Sequence, residues 1–559
     1  MAERPFPPPV NTHPFDLVAR IIESRPVDAV LAGASWAWRS RTEPGSAFPA
    51  APPFAAARPS PGSASAERDP LALIDGLATQ TASAQHADRP PGVHAFARAY
   101  ADGSASPVDV AEALLRAVEE SESGPVPMRF FISLSYVDVR AQAAASALRH
   151  QQKRPLSLLD GVPVAVKDEI DQAGHRTTLG TGMSSLDPAR QDCVAVARLR
   201  ALGAVLVGKS NMHELGAGPT GLNHAHGTCR NPWDPLRFPG GSSSGSAALV
   251  AAGLVPLAVG CDGGGSIRIP ASLCGVVGLK PTYGRVPQRG ETPPIAFSVT
   301  NIGPMGRSVA DVALGYAALA GADALDGASQ GLPPVSVQGF FADDLRGVTL
   351  GVVPQWWRDA DVDVARACER HIGALVARGA RVRDVHLDTE RDVALGLVSS
   401  IGVEVNRNPW MEDVQQRRAL ALDTRIGLVV ARHVGRSLYE RGQRLRARVA
   451  AVVAAALAEV DLLVSPTTGQ TAPLIPAAGT LGDVRQNFAL MRATALANVT
   501  GQPAISYPVG FDRRGLPIGM QLVARPFEEA LLLRVARIGE EATTTSSSRA
   551  PVQWSPLQH

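Results

Sequence analysis

The sequence predicts an α/β fold, a layered domain built on one large sheet. Three observations carry that reading. Short apolar runs of strand type alternate with helical runs from about residue 94 onward. The alternation has no fixed repeat length. Apolar residues make up 45% of the 559 and charged residues 19%, which suits a large buried core and is too apolar for a disordered chain.

The elements follow in chain order. Residues 15–22 read as an apolar-faced helix, and Pro26 can open a second that runs to about Trp38. Trp36 and Trp38, followed by Arg39 and Arg41, suit docking on the core, on the other protomer of a homodimer, or in a membrane interface. Residues 42–70 are rich in Pro, Ala and Ser and read as an irregular linker. The chain thus divides into an N-terminal extension (1–70), a main domain (71–545) and a C-terminal tail (546–559). Residues 94–119 are helical, with Ser106 as N-cap and Pro107 first in the helix. Residues 137–150 form an Ala-rich helix. GVPVAVKD then gives an apolar strand entering Asp168. An amphipathic helix over 193–202 leads to a buried strand over 204–207. A small-residue helix over 245–253 leads to another strand over 254–259. Later come a strand (348–353), a helix (362–378), a long Arg- and Ala-rich helix (438–460) and strands at 461–465 and 504–509.

Composition excludes several function classes. Lys plus Arg number 54 and Asp plus Glu 52, a net charge of +2, so no basic field points to nucleic acid. The five cysteines (Cys193, Cys229, Cys261, Cys274, Cys368) are scattered, which argues for a reducing, cytoplasmic setting over a disulfide scaffold. No histidine or cysteine spacing suggests a metal site, and no cofactor is expected. The start, MAERPFPPPVNTHPF, lacks the apolar run of a secretory signal. The longest uncharged apolar stretch near it, 29–38, is too short to span a bilayer, so membrane contact, if any, is peripheral.

Residues 239–286 carry the densest chemistry: two Gly/Ser clusters joined by a helix and a strand. In Asp262-Gly263-Gly264-Gly265-Ser266, consecutive amides can converge on one point, as in a backbone oxyanion hole. Ser266 at its end is a candidate nucleophile, but no histidine lies nearby to act as its base. A buried, uncharged lysine can replace histidine, with a serine relaying the proton. Lys167 is a candidate, because Val162, Val164 and Val166 deliver it toward the interior. A lysine ending an apolar strand also reads as a strand-end charge reaching water. Gly203 to Ser210 matches the phosphate-loop pattern GxxxxGK[ST], but there the strand lies inside the pattern, not before it, and nucleotide binding is rejected.

Together these segments resemble the amidase signature family. The match rests on GGSSSGSAA (240–248), DGGGSIR (262–268) and GLKPTYGRV (278–286). Upstream, DGVPVAVKD (160–168), GKSNMHELG (208–216) and HGTCRNPWDP (226–235) follow in the family's order. The resemblance spans roughly residues 93–536. It implies the amidase signature fold, a large mixed sheet covered by helices on both faces. It also implies a Ser–cisSer–Lys triad: Ser266 as nucleophile, Ser242 as bridge across a cis Gly241–Ser242 peptide, and Lys167 as base. The implied oxyanion donors are the amides of Gly263, Gly264, Gly265 and Ser266. Ser243, Ser244 and Arg268 then either orient the triad or pack the loop, and Asp262 orders the loop. The resemblance extends to the plant-type fatty acid amide hydrolase branch through NMHELGAGPTGLNHAHGTCRNPWDP (211–235), LDTRIG (422–427), SPTTGQTAPLIP (465–476) and GQPAISYPVGFDRRGLPIGMQLVARP (501–526). That branch implies an amide substrate with an apolar acyl chain, such as an N-acylethanolamine. Met183, Leu215, Met491 and Phe488 are candidates to line a tunnel for it. The rival readings are a hydrolase of small or aryl amides, the glutaminase component of a tRNA-dependent amidotransferase, and an inactive binding protein.

Overall fold

One mixed sheet of eleven strands organises the described residues, in the order β1-β3-β2-β4-β6-β5-β10-β11-β9-β7-β8. The strands are β1 (Phe131–Leu134), β2 (Pro163–Lys167), β3 (Val205–Ser210), β4 (Leu257–Asp262), β5 (Val277–Lys280), β6 (Asn301–Gly306), β7 (Thr349–Val352), β8 (Arg381–Asp384), β9 (Leu462–Pro466), β10 (Ala504–Phe511) and β11 (Pro517–Ala524). The computed structural model describes residues 70–81, 91–183, 187–406, 408, 411, 413–432, 436–477, 483–543 and 550–557. The helices expected over 15–22 and 26–38, the linker up to residue 69, and residues 546–549 and 558–559 of the tail lie outside them.

β2 runs parallel to both β3 and β4, and β7 parallel to β8 and β9; the remaining pairs are antiparallel. Parallel strands need crossover helices, and those helices cover the sheet. Val164, Val166 and Leu206 enter the apolar cluster on one face, while Ala165, Val205 and Val207 enter the cluster on the other. The fully buried helix Ser244–Ala251 belongs to the second cluster. Its small side chains let the backbone lie close under β2 and β4.

Most of the expected elements are present. Ser106 caps the helix Pro107–Ser123 in a full capping box with Asp109, and Pro107 opens it. Helices form at Tyr136–Gln151, Val194–Ala201, Val362–Ala377 and Arg436–Glu459. The strand expected at 254–259 instead occupies 257–262, because Gly253 turns with φ +77° and Pro256 has no amide to donate. β1, β5, β6, β8 and β11 were not anticipated. β6 reads NIGPMG, and β8 reads RVRD and is exposed throughout, so neither of these two shows an apolar strand pattern. The helix Pro70–Thr81 buries Ile74 and Leu77 in the main core. Part of the tail is docked: Trp554 stacks edge-on against Phe130 at 6.1 Å and its amide bonds the Ala252 carbonyl at 2.9 Å. Among the described residues no helix is long and apolar enough to cross a membrane.

His371, on the helix Val362–Ala377, is buried between Tyr507 (3.0 Å) and Thr543 (3.0 Å). Burial pulls its imidazole down to about 4. The unfolded chain therefore binds the extra proton first as pH falls. Stability is full above the ordinary histidine value and is lost on acidification from there toward pH 4, at up to about 1.4 kcal/mol per pH unit. Melting temperatures measured across that window will fall less steeply in His371→Gln than in the parent.

Candidate active site

The site lies at the carboxyl ends of the parallel strands β3, β2 and β4, where the chain leaves the sheet. β2 ends on Lys167, whose side chain is fully buried. Its Nζ donates to Ser242 Oγ at 2.7 Å and to the Cys261 carbonyl at 3.1 Å. Ser242 sits just before the helix Ser244–Ala251, and the Gly241–Ser242 peptide is cis. The serines that follow point elsewhere. Ser243 Oγ accepts from the Cys261 amide at 3.4 Å, Ser244 Oγ donates to the Asn211 carbonyl at 3.1 Å, and Ser246 Oγ donates to the Val259 carbonyl at 3.2 Å. Of these four, Ser242 alone touches the lysine, and the other three fix the helix to its neighbours.

Ser266 ends the glycine turn after β4 and is partly exposed. The turn is tied to the Ser242 segment by the Ser243 amide, which donates to the Ser266 carbonyl at 3.2 Å. Asp262 shapes the turn from inside. Its carboxylate accepts from the amides of Gly265 (2.7 Å), Ile267 (3.0 Å) and Arg268 (3.4 Å). The amides of Gly263, Gly264 and Ser266 have no intramolecular acceptor among the described residues. One of the four expected donors, the Gly265 amide, is thus engaged by Asp262. Gly265 is needed for its shape: φ is +133°, and a Cβ there would collide with Thr494.

Arg268 is fully buried and clamps the turn from behind. It pairs with both oxygens of Asp262 at 3.0 Å and reaches the Thr494 carbonyl (2.8 Å), Gln521 (2.6 Å) and Asn498 (2.6 Å). Burial alone would push the Asp262 carboxyl up. The Arg268 guanidinium outweighs burial and holds it well below the usual carboxylate range. Asp262 and Arg268 thus hold each other and the turn together.

Several neighbours escaped the sequence reading. Glu169 Oε2 lies 2.7 Å from Lys167 Nζ. Asn498 and Gln521 complete the Arg268 shell; Gln521 is the lone polar residue in the apolar run of β11, and that was the available signal for it. Lys209, the lysine of the rejected phosphate-loop pattern, is buried in β3 and paired with Asp168 at 3.2 Å. Among the tunnel candidates, Met491 stands against Gly264. Phe488 is half-exposed three residues before it on the helix Val484–Met491. Leu215 joins an apolar cluster with Leu179 and Ile295, beside Gly216, where a Cβ would come within 3.5 Å of Ser242 Oγ. Met183 is buried. Among the described residues no group of three or more His, Cys, Asp and Glu side chains is placed to hold a metal ion.

Comparison with known proteins gives a consistent result. The family described as Amidase matches residues 127–533. A fatty acid amide hydrolase of Medicago truncatula is 39% identical over 471 residues, 82% of this chain and 77% of that protein. A glutamyl-tRNA(Gln) amidotransferase component of Thermus thermophilus is 38% identical over 484 residues, 82% of this chain and 98% of that one. The solved structure of a peptide amidase from Stenotrophomonas maltophilia superposes with a TM-score of 0.69 at 28% identity, covering 81% of this chain and 96% of that chain.

Removing one partner of the buried pair strands the other charge. Arg268→Ala is expected to cost about 3–5 kcal/mol, read from the midpoint of denaturant unfolding.

Proposed function

From the premise that the chain belongs to the amidase signature family and is an amide hydrolase, we propose that it cleaves fatty acid amides, such as N-acylethanolamines, through an acyl-enzyme on Ser266. The carrying observation is the 2.7 Å contact of Lys167 Nζ with Ser242 Oγ, on a segment tied to Ser266 through its carbonyl. In the working state Lys167, as the free amine, draws the Ser242 proton while Ser242 takes that of Ser266. Ser266 Oγ attacks the amide carbonyl. The free amides of Gly263, Gly264 and Ser266 hold the oxyanion, where donors fixed in advance stabilise developing charge. The proton returns through Ser242 to the leaving amine, and water then cleaves the acyl-enzyme by the same relay.

The acyl chain is assigned from the apolar groups around the turn. Met491 and Leu397 back Gly264 on one side, and the Leu215–Ile295 cluster backs Gly216 on the other. An apolar chain is stabilised there by about 0.8 kcal/mol for each methylene it buries. Similarity to plant fatty acid amide hydrolases supports the same class. Residues 1–70 are proposed as an extension outside this catalytic unit.

A second reading, the glutaminase component of a tRNA-dependent amidotransferase, is favoured by the likeness to the Thermus protein over nearly its whole length. A substrate panel separates the two. Long-chain N-acylethanolamines are expected to be hydrolysed by the chain alone, with kcat/KM rising with chain length. Glutamine hydrolysis that appears only with partner proteins would select the second reading. Ser266→Ala, Ser242→Ala and Lys167→Ala are each expected to lower kcat roughly 10³-fold or more, measured on the best substrate of the panel. Retained hydrolysis in both Ser266→Ala and Lys167→Ala overturns the mechanism.

A further inference from the structure

We propose that Glu169 is a positioning residue that aims the Lys167 amine at Ser242 and holds its proton at rest. The inference rests on the assignment of Lys167 as base made above. Three acceptors surround Nζ: Ser242 Oγ at 2.7 Å, the Cys261 carbonyl at 3.1 Å and Glu169 Oε2 at 2.7 Å. An ammonium has three N–H donors, so this shell satisfies it completely. A free amine has two N–H donors and one lone pair. It can take a proton from Ser242 only when the lone pair faces that hydroxyl. The Cys261 carbonyl and the Glu169 carboxylate then receive the two N–H groups, and the remaining direction falls to Ser242. Without Glu169 the amine turns about its last C–N bond, and the lone pair is no longer aimed.

The carboxylate also has an electrostatic consequence: it places a full negative charge at ion-pair distance from Nζ, and Glu169→Gln would remove that charge while leaving an acceptor. Glu169 also lines a small recess of about 20 Å³, room for about one water, together with Cys261, Gln288 and Thr292.

The other charged and titratable groups nearby are already committed. On β3 Lys209 is paired with Asp168, and beyond β4 Arg268 is paired with Asp262. Asp171 accepts from Thr177 and Thr292. Burial, then the Glu169 charge, push the Cys261 thiol well up, so it stays protonated and donates to Glu169. Burial brings the His213 imidazole down to about 4, so it is neutral where the enzyme would be assayed. Glu169 is thus the group whose charge bears directly on Nζ.

The test uses the full chain and a serine-reactive fluorophosphonate, with the rate of Ser266 labelling followed from acid to alkaline pH. The probe reads the nucleophile whichever amide is the substrate. Glu169→Gln keeps an oxygen acceptor and loses the charge. Its acid limb is expected to move to lower pH by about one unit, a roughly tenfold gain in labelling on that limb, with the alkaline plateau kept. Glu169→Leu loses the acceptor as well, and its plateau is expected to fall tenfold or more, on the order of what misaimed reacting groups cost. Glu169→Asp keeps the charge, so its limb stays alkaline of that of Glu169→Gln. A Glu169→Gln profile that superimposes on the parent, a Glu169→Leu plateau equal to the parent's, or a Glu169→Asp limb displaced as far as that of Glu169→Gln overturns the inference. Failure of the parent chain to label at Ser266 refutes the nucleophile assignment itself, and the inference with it.

Discussion

The buried pair of Asp262 and Arg268 is the constraint on which the geometry of the site depends. Two charges removed from water are tolerated only when paired and fully hydrogen-bonded. Here both conditions hold, and each bond also shapes the chain. Asp262 gathers the amides of Gly265, Ile267 and Arg268, which bends the backbone tightly after β4. That bend leaves Ser266 partly exposed at its tip. Arg268 then ties the bend to Thr494, Asn498 and Gln521, more than 220 residues later in the chain. The tip is held by the second half of the protein, and a rigid donor array needs such a frame if its dipoles are not to reorganise as charge develops.

How much of this was legible depends on the kind of signal. The second Gly/Ser cluster and the lysine ending an apolar run marked Ser266 and Lys167 as candidates, and family resemblance added Ser242 as the proposed bridge between them. Fold class followed from alternating patterns, and the capped start of the helix Pro107–Ser123 was legible to the residue, while its end lies four residues beyond the expected 119. β8 was not, because RVRD at a sheet edge has no buried side to pattern. Gly265 illustrates a different limit. Sequence shows that a glycine amide is sterically accessible, but not that Asp262, three residues earlier, has already taken it. Glu169 is two residues from Lys167, and spacing in a turn does not fix which way a carboxylate swings.

Two of the three fully buried lysines among the described residues, Lys167 and Lys209, show why register is needed to assign function. Lys167 ends β2 and Lys209 is the last residue but one of β3, and those strands are neighbours in parallel. Simple alternation puts Lys209 on the same face as Val205 and Val207, the face that carries the helix Ser244–Ala251. The ladder slips instead. Val164 pairs with Leu206 but Ala165 pairs with Gly208, so Val207 is left without a partner. From there the faces are exchanged, as at a β-bulge. Ser210 now sits beside Lys167 and bonds Ser246, while Lys209 turns to the opposite face and Asp168. Gly208 makes the slip feasible: φ is +148°, and a Cβ would come within 2.5 Å of the Ser133 carbonyl.

The slip also explains why the two lysines belong to different chemistry. Lys209 has its own carboxylate, Asp168, which in turn is bonded by Thr178 and Gly180. Lys209 also donates to the Arg176 carbonyl (3.3 Å), so the pair holds the turn after β2 in place. Both lysines meet a hydroxyl, but the one at Lys209, Thr177 Oγ1 at 3.1 Å, already donates its proton to Asp171 at 2.7 Å, whereas Ser242 Oγ at Lys167 is bound to no carboxylate among the described residues. A carboxylate at each lysine preserves charge balance in the interior. The proposed division between a structural lysine and a reactive one thus rests on a one-residue offset in the pairing of two strands and on where each neighbouring hydroxyl has committed its proton.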